Sequence, residues 1–553
     1  MKIILIFITI AILSIHSLAA EPSYFKVAKE ELNRAYNELQ NTDKPPYFIS
    51  YHISDIKNVK INAKYGKIAE DDSNHKRILD IDLRVGSNKF DNTHIIRGNQ
   101  LDFSGGRTSV NLPLEDNAKS LKNAMWLLTD RTYKKAVERY EKALTNKAVK
   151  VQEEDSSADF SVEKPNKFIG KANDLQYNES AIKEMLKRIS LIFANEKWIY
   201  SSNVQFQGEV VNKAFLSTEG TELFWSEPSY RIVLTATTKA DDGMSLFLYE
   251  SYFAFSFDGL PDEKKIAEDA NKIVTKLKQM REAPLMQTYS GPAILSGEAS
   301  GVFFHEIFGH RVEGHRQKDP NSSQTFKNYI GQKILPDFID VIFDPTLNKI
   351  GNKDLSGYYP YDDEGIQPKR VETVRGGIFR NFLMSRSPIE NYANSNGHGR
   401  KQAGYKCVSR QSNLIVKATK TVPANQLKEM LRQECKKQNK EFGLYFEKVQ
   451  GGFTFTGRTI PNSFNVNPLL VYKIYADGRP DEMVRGVDLI GTPLTTFSNI
   501  IAAGDDMEVF NGTCGAESGG VSVSASSPSL LVSLIEVQKK AKSQAKPPIL
   551  PAP

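Results

Sequence analysis

The sequence predicts an α+β protein. An N-terminal mixed helix–strand domain is joined, through one helix near residue 300, to a mainly antiparallel β domain at the C-terminal end. Before residue 285, apolar residues recur at helical spacing in three places: Tyr133, Ala136, Val137, Tyr140 and Leu144; Ile182, Met185, Leu186 and Ile189; and Ile266, Ala270, Ile273 and Leu277. Between the last two helices, the β-rich runs Tyr230 to Thr238 and Ser245 to Phe255 flank a turn containing Asp242-Gly243, the pattern of a hairpin. From about Asp337 to Val537, short strand-like runs broken by Gly, Pro and Asp dominate, with one helix around Asn425 to Lys437.

Taken in order, the chain begins with Lys2, then a run from Ile3 to Ile15 that is apolar apart from Thr9 and Ser14, then small residues at Ser17, Ala19 and Ala20. A positive start, an apolar stretch and a small-residue cleavage site read residues 1–20 as a secretory signal. The run falls short of the roughly 20 apolar residues of a membrane helix. The expectation is therefore a periplasmic or secreted protein with no stable membrane span after cleavage. Residues 21–285 form the first domain, with Pro261 and Asp262-Glu263 opening its last helix and an exposed loop from Val151 to Lys167. Residues 286–537 form the second, including a helix at about 297–313, and 538–553 read as a disordered tail. At 553 residues, more than one domain is expected. The net charge of +6 is small for this length and its charges are mixed, as in Asp262-Glu263-Lys264-Lys265, which gives nucleic-acid binding no support.

The segment from Ser296 to His315 carries the chemistry. Of eight histidines in the chain, three fall here, at His305, His310 and His315, a clustering that uniform scatter would not produce. Ser296 can cap a helix start and Gly314 can end it. A His-Glu-x-x-His pattern places two imidazoles on one helical face for metal binding. Here the spacing is five, with Gly309 as the extra residue, and on a regular helix that turns the second ring about 140° from the first. A one-residue π-bulge at or near Gly309 would bring the rings together. A purely structural helix fits less well, because His305, Glu306 and His310 lie among Val302, Phe303, Phe304, Ile307 and Phe308, where polar groups need partners. By spacing alone, Glu313 and His315 compete as a third ligand. There are three cysteines, Cys407, Cys435 and Cys514; an odd number leaves a thiol unpaired, and a Cys407–Cys435 bridge is open.

At this point the sequence resembles the TldD/PmbA family of metallopeptidases, whose catalytic members carry a His-Glu-x-x-x-His motif. The resemblance continues in order through Tyr361-Asp362-Asp363-Glu364-Gly365, Gly376-Gly377-Ile378-Phe379, Gly397-His398-Gly399-Arg400, Gly451-Gly452-Phe453-Thr454-Phe455, Val484-Arg485-Gly486-Val487, Gly504-Asp505-Asp506-Met507 and Asn511-Gly512-Thr513-Cys514-Gly515. It implies that Cys514 is the third metal ligand beside His305 and His310, a choice no local spacing makes. It implies Zn²⁺ as cofactor, Glu306 as the catalytic base, unfolded or extended peptides as substrates, and a homodimer or a heterodimer with a related subunit. His₂Cys plus water leaves a catalytic position open. The alternative is a non-catalytic, zinc-stabilised partner or substrate-presenting subunit of such a complex. The Asp362-Asp363-Glu364 trio beside Gly365 reads as a solvated turn. His398 and Arg400 are assigned no role.

Overall fold

The computed structural model describes residues 21–96, 108–148, 155–458, 464–491, 497–540 and 550. The expected signal at 1–20 lies outside them, as do 541–549 and 551–553 of the expected tail. The last strand, Leu530–Lys539, runs two residues into the stretch read as tail, because it pairs with Val487–Gly491 as far as Lys539.

The fold is α+β. In the N-terminal part, strands Pro46–Lys64 and Lys67–Ser87 form a long hairpin. Its two-residue turn, Tyr65-Gly66, has both φ values positive (51° and 74°), the conformation that suits the twist of paired strands. Strand Ser201–Ser217 adds to this hairpin, followed by Glu222–Lys239 and Ser245–Ala254. The last two are the expected hairpin, with Gly243 at φ 86° in its turn. Strand side chains alternate between faces. Ile49, Tyr51 and Ile53 meet helices α1 (Ser23–Leu39) and α2 (Ala118–Ala148). Further along the same face, Val59, Ile61 and Ala63 meet α3 (Glu179–Ala194) and α4 (Glu263–Glu282). The expected acidic start of α4 is a side-chain cap, since the Lys265 N–H donates to Asp262 Oδ1 at 2.9 Å.

Residues 155–161, expected in an exposed loop, are mostly packed, with Asp155, Asp159, Phe160 and Ser161 all buried. The polar composition hid Phe160, which lies under the Arg386 guanidinium at 3.8 Å from its ring centre.

Among the described residues, the C-terminal part holds a seven-stranded and a six-stranded sheet. Most pairings are antiparallel; Tyr289–Leu295 with Phe442–Thr454, and Asn413–Ala418 with Gly519–Ser527, are parallel. Helix α5 (Gly297–Ile307) lies between the two sheets and touches strands of both. Every residue of it except Glu298 is buried, which explains the absence of an amphipathic pattern. Two glycines set the approach. A Cβ on Gly297 would lie 2.5 Å from the Ser527 carbonyl oxygen, and one on Gly301 2.8 Å from that of Ala525. Helix backbone therefore rests directly on strand Gly519–Ser527. Among the described residues, no helix is long and apolar enough to cross a membrane.

Candidate metal centre

Helix α5 begins where expected, with the Ala299 N–H donating to Ser296 Oγ at 3.1 Å. Its end corrects the sequence reading: there is no π-bulge and no helix to 313. The helix stops at Ile307, Phe308 caps it at φ −116°, and a 3₁₀ turn follows over Gly309–Arg311. Arg311, buried, donates from Nη1 to the carbonyls of Glu306 and Ile307 at 2.9 and 3.1 Å, satisfying two acceptors the last helical turn leaves open. The extra residue is thus absorbed by ending the helix rather than distorting it. Gly309 has a steric reason: a Cβ there would fall 1.8 Å from Gln411 Oε1. Gln411 in turn donates to the His305 carbonyl at 3.3 Å.

The break brings the two imidazoles together, with ring centres 5.1 Å apart and planes at 81°. Cys514 Sγ lies 3.2 Å from His305 Nε2 and 3.4 Å from His310 Nε2. All three are buried, and their ligand atoms lie within 4.8 Å of one another. Cys514 is delivered by strand Glu508–Ala516, at the edge of the six-stranded sheet, which pairs with the strand that α5 rests on. Arg410, fully buried, fixes this strand from behind, donating to the Cys514 carbonyl at 2.7 Å and to Ser518 Oγ at 2.7 Å.

Burial alone would raise the Cys514 thiol, but His310 and His305 hold it well below its ordinary value, so the thiolate is the favoured form. A thiolate and two Nε2 atoms converging in a buried corner are a donor set that suits zinc.

Glu313 and His315, the rival third ligands, are both outside this cluster. Glu313 is fully buried behind His310, 3.3 Å from Nδ1, and also meets Arg316 Nε at 2.7 Å. Burial would raise its carboxyl, but His310, Arg316 and Arg410 bring it down to about 2, so it is ionised. An ionised carboxylate on Nδ1 makes that nitrogen a donor and points Nε2 at Cys514. Although burial would lower it, Cys514 and Glu313 hold His310 well above its ordinary value, so without a metal Nε2 also carries a proton and donates to the thiolate. His315 bonds Glu517 at 2.5 Å.

Glu306 is buried but opens on the cleft, and among the described residues no hydrogen bond or ion pair engages its carboxylate. Burial pushes its carboxyl up, opposed by His305 and His310. The cleft, about 390 Å³, is lined by His305, Glu306, His310 and Cys514 on its floor, with Gly451 to Thr454 and Thr513 to Glu517 on its walls. Gly452 is required there, since a Cβ would lie 2.8 Å from Glu306 Cγ.

The acidic trio is not a solvated turn. Asp362 is buried and accepts from the backbone of Glu364, Ile366 and Gly399. Asp363 pairs with Lys213 at 3.0 Å, and Glu364 accepts from the Arg386 N–H at 2.7 Å. The same turn chemistry serves a buried junction. His398, fully buried, bonds Asn396 and Ser412, and Arg400 donates to the carbonyls of Gln411 and Ser522; both are structural. All three cysteines are free thiols, so no Cys407–Cys435 bridge forms.

Gly309→Val should push Gln411 off the His305 carbonyl and weaken metal binding roughly 10- to 100-fold. Competition with a chromogenic chelator measures it; unchanged affinity would show that Gln411 has room to move.

Fold and site together define an α+β protein with a buried two-histidine, one-cysteine cluster at the floor of an open cleft. Residues 288–539 match the PmbA/TldA metallopeptidase C-terminal domain. A metalloprotease of Methanocaldococcus jannaschii is 26% identical over 359 residues, covering 65% of this chain and 74% of that protein. A protein of Saccharolobus solfataricus named a zinc metalloprotease TldD homolog is 22% identical over 375 residues, 67% of this chain and 78% of its own. The crystal structure of TldE from Thermococcus kodakarensis superposes with a TM-score of 0.57 at 14% identity, covering 92% of this chain and 100% of that one, and so shares its fold. Over residues 288–539, somewhat under half of its length, this chain is similar to the PmbA/TldD metallopeptidases.

Proposed function

We propose that this chain is a zinc-dependent peptidase that hydrolyses unfolded or extended peptides after export to the periplasm or beyond. The observation that carries the reading is the convergence of His305, His310 and Cys514 in a cleft whose remaining floor group is Glu306, a carboxylate with no partner among the described residues. His305 Nε2, His310 Nε2 and Cys514 Sγ would hold the ion, with Glu313 fixing His310 from behind. When bound there, zinc would supply Lewis acidity and lower the pKa of a water toward about 7. Glu306 accepts the proton of the attacking water and returns it to the leaving amine; a carboxyl raised by burial suits a group that must do both. Neither Glu313 nor His315 is placed to close the cluster as a fourth ligand, which favours a catalytic over a structural site.

Strand Glu508–Ala516 supports the substrate class. Among the described residues it is an edge strand, and Thr513 and Gly515 line the cleft on either side of Cys514. An extended peptide can add to such an edge through its own backbone donors and acceptors, which a folded domain keeps paired. Purified mature protein should therefore degrade an unfolded chain while sparing its folded form; equal rates on the two would end this reading. Metal analysis of the same preparation tests the zinc assignment. We also propose that the protein works as a dimer, either with itself or with a related subunit, as the family resemblance implies; co-purification from the native host tests that. N-terminal sequencing of the exported protein tests cleavage after the small residues near position 20.

A further inference from the structure

A second cavity, of about 310 Å³, shares none of the metal cleft's lining residues. It lies at the junction of the N-terminal sheet, α2 and the segments around residues 363 and 401–407. Its acids are already engaged inside the protein. Asp80 pairs with Lys401 at 2.5 Å, Asp82 with Arg84 at 3.0 Å, Asp363 with Lys213, and Glu364 with the Arg386 N–H. Among its bases, Arg386 is satisfied by Glu219. Lys135 on α2 and Lys406, by contrast, make no ion pair with any described residue, and both line the cavity. The residual charge of the cavity is therefore positive.

The interior carries a second, independent sign. His52 projects from the sheet face opposite α1, is more than nine-tenths buried, and neither ring nitrogen has a hydrogen-bond partner. Its nearest acid, Asp363, is 3.9 Å away and committed to Lys213. Phe215 and Trp225 flank the ring at 5.9 and 6.3 Å, so the ring is held in place. Burial, with Lys401 and Lys213 nearby, keeps it neutral, at about 3. A neutral imidazole offers one donor and one acceptor, and leaving both buried and unmet is costly unless something polar fills the space.

We propose that this cavity is a binding site for a small organic anion, its phosphate or carboxylate head held by Lys135 and Lys406 and its inner polar end hydrogen-bonded to His52. The volume falls in the range of small-molecule sites, and a junction of this kind is a common place for them. Bound there, the ligand bridges the N-terminal sheet to the C-terminal segments and stabilises their junction.

The test uses the full-length mature protein carrying Cys514→Ala, so that no anion can bind through a metal. Inorganic phosphate and succinate are titrated separately while thermal unfolding is followed, with sodium chloride at matched ionic strength as control. A saturable rise in Tm with either anion, absent with chloride, is expected. Response to phosphate alone assigns a phosphorylated ligand, and response to succinate alone assigns a carboxylate. The Lys135→Gln/Lys406→Gln double variant, changed only at exposed positions, should bind at least about tenfold more weakly, about 1.4 kcal/mol. No saturable shift below about 10 mM of either anion, or equal binding by the double variant, overturns the proposal.

Discussion

Glu306→Gln protein is expected to bind zinc as the parent does and to lose peptide hydrolysis by roughly 10²- to 10⁴-fold. The side chain keeps its volume beside Gly452, and the amide removes only the ability to take a proton. The loss should appear in kcat rather than KM, since the change touches the proton transfer and not the walls that hold the peptide. The parent's pH profile gives a second readout. Burial raises the Glu306 carboxyl, and only its deprotonated form can accept, so kcat/KM should fall on the acid side at a pH above the ordinary carboxylate range. Zinc-loaded Glu306→Gln protein with near-normal turnover would remove Glu306 from the mechanism.

Cys514→Ala should lose most bound zinc and most activity, while Cys407→Ala and Cys435→Ala keep both. The three thiols differ in chemistry as well as place. Cys514 is held as thiolate by two imidazoles. Burial raises Cys435 to about 11, and burial together with Glu364 and Asp363 raises Cys407 well above its ordinary value. Stripping zinc with a chelator should therefore expose one fast-alkylating thiol, identified by peptide mapping as Cys514. If Cys514→Ala protein still binds one zinc tightly and cleaves peptides, the third ligand is another group.

What the sequence made legible follows the range of the forces involved. The α4 cap at Asp262, the Gly243 hairpin and the Ser296 cap are local, and each could be read from a few neighbouring residues. The pairing of His305 with Glu306 and His310 was local too, but the way the chain absorbs the fifth residue was not. It depends on Arg311 folding back onto α5 and on Gln411, about a hundred residues away, crowding Gly309. Cys514 was reachable only through the family resemblance, because strand pairing rather than spacing carries it to the histidines. Glu313 is a carboxylate close to His310 in sequence, but sequence distance cannot tell a ligand from the group behind it. Asp362 to Glu364 were misread because hydrogen bonding of a turn by aspartate looks the same in solvent as beneath a sheet. The Lys135, Lys406 and His52 constellation had no sequence signal at all, because its members are scattered over some 350 positions that only the assembled junction gathers.

The distance along the chain between the donors has a consequence for how the protein matures. His305 and Cys514 are 209 residues apart, and closing a loop of that length in an unfolded chain carries a substantial entropic cost for one contact. The histidines alone offer an incomplete set. Tight ion capture therefore waits until α5 is seated on Gly519–Ser527 and the edge strand has joined its neighbour. On the proposed function, metal uptake would act as a late checkpoint, favouring the finished fold over every earlier intermediate by mass action. On that reading, a chain that stalls before the two sheets meet would remain metal-poor and therefore inactive.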